Sequence, residues 1–464
     1  MMRKLPAIQN NIMSILDLFK KKKEAYDRAA VIGLDGVPYR MIRSLTAQGV
    51  MPVMAKLLED GYACKMDSSM PPVSSVAWTS FMTGTNPAKH NIFGFMDRRR
   101  ESYGIYFPNA TQIRSPTLWD ILTDAGKKTV AVNIPQTYPA RETNGVIISG
   151  FVALDLEKAV YPHKLVEALR KMDYRIDVDY QNADERKEEF FKDLFFTLKK
   201  RRDTFLYLLE KIPWDLFIGV FTGTDRLQHY FWDDYENTDS PWNQTVLDYY
   251  RAIDTIIGEM TDKMGGDTAL LMLSDHGFAH LEKEVFINSW LKQQGYLQIK
   301  NDPPKSFEDI DPEKTKAFAL DPSRIYINVK GIMPCGIVNQ GLEYEQLINT
   351  LSEGMLALCD EETGKPVVSQ IFRKEALYKG PYIDKAPDLV LLGAPGYDLK
   401  GAISKTDLLG PSKFTGMHTY HDAFFYMKGL APLKVKPNIQ DLAPTILQLL
   451  GMPVPPDMDG RPLV

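Results

Sequence analysis

At 464 residues the chain exceeds the usual size of one domain, so a core plus an inserted part is expected. Hydrophobic residues make up 44% and charged residues 25%, a globular balance, and a net charge of −5 excludes a general electrostatic pull toward nucleic acid or anionic membranes. Three widely spaced cysteines, Cys64, Cys335 and Cys359, exclude a disulfide framework and point to reduced thiols in a cytoplasmic protein.

Met1 to Asn11 lacks the apolar run of a secretory signal. Ile12, Ile15, Leu16 and Phe19 recur at helical spacing and predict an amphipathic helix over 10–28, packed on the protein rather than on a membrane. No window approaches the ~20 apolar residues of a spanning helix. Val31 to Leu34 is a short apolar run closed by Asp35-Gly36, which reads as a buried parallel strand delivering a carboxylate at its C-terminal end. Helices follow over 39–48 and 53–60. Pro71-Pro72-Val73-Ser74 then leads into a helix predicted to begin near Val76 to Trp78, and Arg98 to Arg100 read as a solvated face.

A helix over 117–125, strands over 129–133 and 146–149, and helices over 163–172 and 185–211 come next. Phe190, Phe191, Leu194, Phe195 and Leu198 on the last helix have core spacing. The strand over 215–221 is followed by Asp225 and His229 at i,i+4, which share one face of a helical turn. After a helix over 243–264, the strand over 268–273 delivers Asp275 and His276. A helix over 285–294, strands over 325–329, 367–372 and 388–392, and helices over 343–357 and 440–450 complete the pattern. The alternation predicts an α/β fold, a mostly parallel sheet sandwiched between helices.

Five of the seven histidines (His229, His276, His280, His418 and His421) fall beside these Asp-bearing segments. Imidazole and carboxylate are the ligand set of zinc and manganese, and thiolates are absent from the segments. Ligands in open α/β sheets gather beyond the carboxyl ends of the strands, so three ligand-bearing strand ends point to one crevice.

In VIGLDGV, PPVSSVAWTSFMTG, FTGTDRLQHYFW, LMLSDHGFAH and FTGMHTYHD, with the closing NIQDLAPTILQLLGMPVPPDMDGRPL, the chain resembles the alkaline phosphatase superfamily in its type I phosphodiesterase/nucleotide pyrophosphatase branch. The resemblance implies two divalent metal ions, zinc or manganese. Asp225, His229 and His418 would hold one. Asp35, Asp275 and His276 would hold the other, with the Ser74 hydroxyl as nucleophile completing its shell. The family more often uses threonine at the Ser74 position, and the spacing from Pro71 favours Ser74 over Ser75. The resemblance further implies a cap inserted over the crevice, dividing the chain into an N-terminal segment 1–30, core 31–285, α+β cap 286–404 and core 405–464.

Two departures stand out. Phe95 occupies the place of an asparagine that holds a phosphoryl oxygen in nucleotide pyrophosphatases, and His421 adds a histidine beyond His418. His280 and His421 are read as rim or supporting residues. The expected function is a two-metal phosphohydrolase acting on a small-molecule phosphodiester or pyrophosphate. A phosphomonoesterase or phosphomutase of the same superfamily and a non-catalytic binding protein on the same fold are the alternatives. A sulfatase lacks its Cys/Ser-x-Pro-x-Arg setting here.

Overall fold

The computed structural model describes residues 25–99, 101–180 and 183–464. Residues 1–24 and Arg100 lie outside the described residues, and so does most of the helix expected over 10–28. Its last four positions, 25–28, are irregular.

The core sheet has eight strands: β1 (Ala29–Leu34), β2 (Gly61–Met66), β3 (Thr129–Ile134), β4 (Gly145–Ser149), β5 (Val160–Tyr161), β6 (Leu216–Phe221), β7 (Ala269–Leu273) and β8 (Ala423–Lys428). They lie in the order β2-β8-β7-β1-β6-β3-β4-β5. The five strands from β7 to β4 are parallel, whereas β8 runs antiparallel to both β7 and β2, and β5 runs antiparallel to β4.

Both faces are covered, and so the central strands read as unbroken apolar runs. Ala30, Ile32 and Leu34 of β1 pack on one side with Phe205, Leu208, Ile253 and Ile257, from α2 (Lys187–Lys211) and α4 (Asn243–Met264). Ala29 and Val31 face the other side, with Trp78 and Phe81 of α1 (Ser74–Thr83) and Ile446 of α6 (Leu442–Leu449). The Phe190-to-Leu198 stripe of α2 is core, as its spacing predicts. Among the described residues no helix is long and apolar enough to cross a membrane, and all three cysteines are free.

Several elements depart from the sequence reading. The helix after Pro72 starts at Ser74 rather than near Val76: Val73 is extended and its carbonyl accepts from the N–H groups of Val76 and Ala77. Strands β2, β5 and β8 of the core sheet were not anticipated. β2 sits at the sheet edge and is only half-buried for most of its length, so it lacks the apolar run of its parallel neighbours.

The segment after β7 builds a second antiparallel sheet, in the order Ala317–Leu320, Arg324–Ile327, Leu389–Gly393, Val368–Arg373, with α5 (Leu342–Leu356) packed on it. A three-stranded sheet of Tyr397–Lys400, Lys283–Phe286 and Leu409–Gly410 closes its base. Arg324, fully buried, fastens this layer to the core: it donates to Asp97 Oδ1 at 3.2 Å and to the Met96 carbonyl. Gly94 makes room for it, since a Cβ there would stand 2.4 Å from the guanidinium carbon. Arg324→Met leaves the Asp97 carboxylate buried without its partner and is expected to destabilise the fold by roughly 3–5 kcal/mol. The midpoint of chemical denaturation measures this.

Candidate metal centre and substrate cleft

The C-terminal ends of β1, β6 and β7 carry Asp35, Asp225 and Asp275-His276 to one place, as the crevice rule for parallel sheets requires. Asp225 and His229 share one face of α3 (Gly223–Glu236), and His418 comes from the strand Gly416–Thr419, which pairs with Gly277–His280. All six expected ligands and Ser74 therefore meet, although they span residues 35 to 418.

Tautomers follow from the hydrogen bonds. The Nδ1 atoms of His229, His276 and His418 each lie 3.1 Å from a backbone carbonyl, of Gly416, Gly277 and Pro72 respectively. A carbonyl only accepts, so each Nδ1 carries the proton and each Nε2 presents a lone pair. These lone pairs converge. His418 Nε2 lies 3.0 Å from His229 Nε2 and 3.1 Å from Asp225 Oδ1. His229 Nε2 and His276 Nε2 stand 3.5 and 4.0 Å from the same oxygen. Two imidazole lone pairs 3.0 Å apart need a cation or a shared proton between them.

Two groups have metal-ligand spacing among the described residues: Asp225 with His229 and His418, and Asp35 with Asp225 and His276. Asp225 belongs to both. Asp275 Oδ2 lies 3.3 Å from His276 Nε2 and is buried with no hydrogen-bond partner, while Asp275 Oδ1 accepts from the Gly36 N–H. That orphaned oxygen, the convergent lone pairs and the N/O donor set fit divalent cations.

Electrostatics point the same way. Burial, then the charges of Asp275 and Asp225, push Asp35 well above the usual carboxylate range. Burial pushes Asp275 up to about 6. Burial also works against an ionised Asp225, but His229 and His418 beside it hold it well below its ordinary value. Burial lowers His229 and His276 to about 3, so both stay neutral. Burial opposes a proton on His418 too, yet contact with Asp225 raises it. Three carboxylates crowded into a buried site are costly without cations.

Ser74 is the first residue of α1, and its Oγ lies 3.1 Å from His276 Nε2 and 3.4 Å from Asp35 Oδ1. The first-turn N–H groups of Ser74 and Ser75 have no intrahelical acceptor, which makes this helix start a seat for negative charge. Trp78 Nε1 donates to Asp35 Oδ2 and orients that carboxylate.

The site opens into a cleft of about 360 Å³. Asp321 to Ser323 and Leu391 to Gly393 line it from the second sheet. Phe95 forms a shelf, stacked on Phe151 with ring centres 5.6 Å apart and meeting Phe107 edge-on. Gln136 and Val152 line the same end with left-handed backbones, φ 68° and 74°. Such strain costs of order 1–3 kcal/mol for a non-glycine residue and gathers at functional sites. Nothing in the sequence singled out either residue. Arg226, inside the FTGTDRLQHYFW stretch, lies between Phe151 and Tyr180, its guanidinium carbon 4.0 and 4.5 Å from the ring centres, and donates to Asp177 and Asp225.

The remaining candidates fall outside the centre. His280 pairs with Asp233 at 3.0 Å, half-exposed. His421 is exposed beside Asp67. Arg98 sits against the Tyr326 ring rather than in the cleft.

The fold is alkaline phosphatase-like, and the family match puts the chain among the phosphoester hydrolases. The sequence matches the type I phosphodiesterase / nucleotide pyrophosphatase family over residues 29–421, and the chain belongs to that family. Its fold is shared with the phosphonoacetate hydrolase of Sinorhizobium meliloti 1021 in complex with phosphonoformate: 15% identity, TM-score 0.64, over 92% of this chain and 96% of that one. Human ectonucleotide pyrophosphatase / phosphodiesterase 5 is similar at 13% identity, TM-score 0.55, over 93% and 97%. The alkaline phosphatase PafA follows at 14% identity, TM-score 0.58, over 95% and 99%. A comparison with curated protein sequences gave no match.

Proposed function

We propose that the protein is a metal-dependent phosphodiesterase that forms a covalent phosphoseryl intermediate on Ser74. The observation that carries this reading is the convergence of three imidazole lone pairs and three buried carboxylates beside the Ser74 hydroxyl. Asp225, His229 and His418 would hold one ion, zinc or manganese. Asp35, Asp275 and His276 would hold the other with Ser74, and Asp225 Oδ1 faces both groups. When bound, such ions neutralise the phosphoryl oxygens and lower the pKa of a coordinated hydroxyl.

The chain's own groups do the rest. Ser74 Oγ gives its proton to solvent and bonds to phosphorus as the bond from phosphorus to the leaving oxygen breaks in line, and the leaving oxygen takes up a proton from solvent. The Ser74 and Ser75 N–H groups hold the phosphoryl oxygens through the transfer. Water then attacks phosphorus, and the phosphorus–Ser74 bond breaks to restore the hydroxyl. Segment 286–404 acts as a cap that selects the organic group, since Asp321 to Ser323 and Leu391 to Gly393 line the cleft.

A diester suits this cleft better than a monoester dianion. Arg226 is occupied by Asp177 and Asp225, and the Phe95–Phe151 shelf offers apolar surface to a second ester group. Bis(p-nitrophenyl) phosphate is therefore expected to be hydrolysed with a higher kcat/KM than p-nitrophenyl phosphate. A side-by-side assay with the reverse order would move the reading to a phosphomonoesterase or phosphomutase.

A further inference from the structure

The cleft carries an arrangement that metal binding does not use. Thr222, at the end of β6, lines the cleft, and its Oγ accepts from Arg201 Nη1 at 2.9 Å and from Asn133 Nδ2 at 3.1 Å. The orientation of Asn133 is settled by its other contact, since Nδ2 also donates to the Val220 carbonyl at 3.0 Å. A threonine hydroxyl has two lone pairs and one proton. Both lone pairs are taken, and the proton has no acceptor among the described residues. Gln136 lines the cleft too, and its Nε2 is buried without a partner in a residue only 4% exposed.

Behind Thr222 stands Arg201. It is 2% exposed, and its remaining bonds go to the Arg175 and Ile176 carbonyls. No carboxylate among the described residues pairs with it, whereas the neighbouring Arg226 has Asp177. A buried charge calls for a counter-charge nearby. Two buried donors without acceptors, on residues that line the cleft and one of them held by a guanidinium, suit an anionic oxygen that enters beside them.

We propose that Thr222 and Gln136 donate to an anionic oxygen of the substrate and that Arg201 is the positioning residue that holds and polarises Thr222. This rests on the hydrolase reading for its substrate class, not for its geometry. The oxygen has two possible sources: a non-bridging oxygen of the reacting phosphoryl group, or an acid group on the organic side of the ester.

Calorimetry on the metal-loaded full chain with phenylphosphonate and 4-carboxyphenylphosphonate separates them. Thr222→Val and Gln136→Leu are each expected to weaken binding about tenfold or more, the scale of one hydrogen bond to a charged group. Thr222→Ser keeps the hydroxyl and restores affinity to within about threefold. Arg201→Lys keeps the charge and retains more affinity than Arg201→Gln at matched Tm. Equal losses with both probes assign the oxygen to the phosphoryl group. Loss confined to the carboxylate-bearing probe assigns it to the organic side. Unweakened binding of both probes in Thr222→Val and Gln136→Leu overturns the subsite, as does failure of the wild-type protein to bind either. If wild-type protein shows no metal-dependent hydrolysis yet binds phosphonates in a Thr222-dependent way, the hydrolase reading falls and the subsite stands.

Discussion

Ser74→Ala is expected to lower kcat/KM by at least ~10³-fold, because it removes the attacking oxygen, a loss no neighbouring group replaces. Thermal stability should change little. Ser74 opens α1 as its first helical residue, the Val73 carbonyl holds the turn through Val76 and Ala77, and alanine is a good helix former there. Ser74→Thr should keep measurable activity, since the added methyl leaves a hydroxyl in the same position. Ser75→Ala should be nearly silent; its Oγ is buried with no hydrogen-bond partner, so nothing is left unpaired by its loss. An inactive Ser75→Ala beside an active Ser74→Ala would move the nucleophile by one residue. Steady-state kinetics with bis(p-nitrophenyl) phosphate, together with thermal melts, decides it.

Chelation is expected to abolish activity, and readdition of zinc or manganese to restore it, with close to two ions per chain by elemental analysis. The geometry makes this more specific than a count. His229→Ala and His418→Ala should empty one position, and Asp275→Asn mainly the other, because His418 Nε2 faces His229 Nε2 whereas Asp275 Oδ2 faces His276 Nε2. Asp225→Asn should weaken both, since Asp225 Oδ1 faces His229, His418 and His276. Less than one ion per chain after reconstitution would sink the two-metal proposal. Asp225→Asn emptying only one position would show that its oxygen serves a single ion.

Part of the candidate centre was legible in the sequence because its pieces are local, whereas Ser74 and His418 came from the resemblance alone. A short apolar run ending in Asp35, another ending in Asp275-His276, and Asp225 with His229 one helical turn apart each state their own geometry. Buried parallel strands need continuous apolar residues, and their ends are where side chains reach solvent and ligands. Runs of that kind fixed β1, β3, β4, β6 and β7, and the amphipathic spacing of α2 and α4 marked the covering helices.

Other features depended on the assembled chain. The edge strand β2 has a mixed, half-buried sequence, and its pairing with β8 brings Met66 opposite Ala423 from across the chain. The start of α1 at Ser74 depends on the extended Val73, which no propensity announces. Asp225 standing between both ligand groups, the orphaned Asp275 oxygen, and the Thr222–Arg201–Asn133 contacts are all long-range distances. A sequence determines which side chains can bind a cation and which runs must be buried, because those properties belong to single residues and short periods. It is the packing of strands and helices distant in the chain that decides which atoms face each other, because a lone pair or an unspent proton is defined only by what surrounds it.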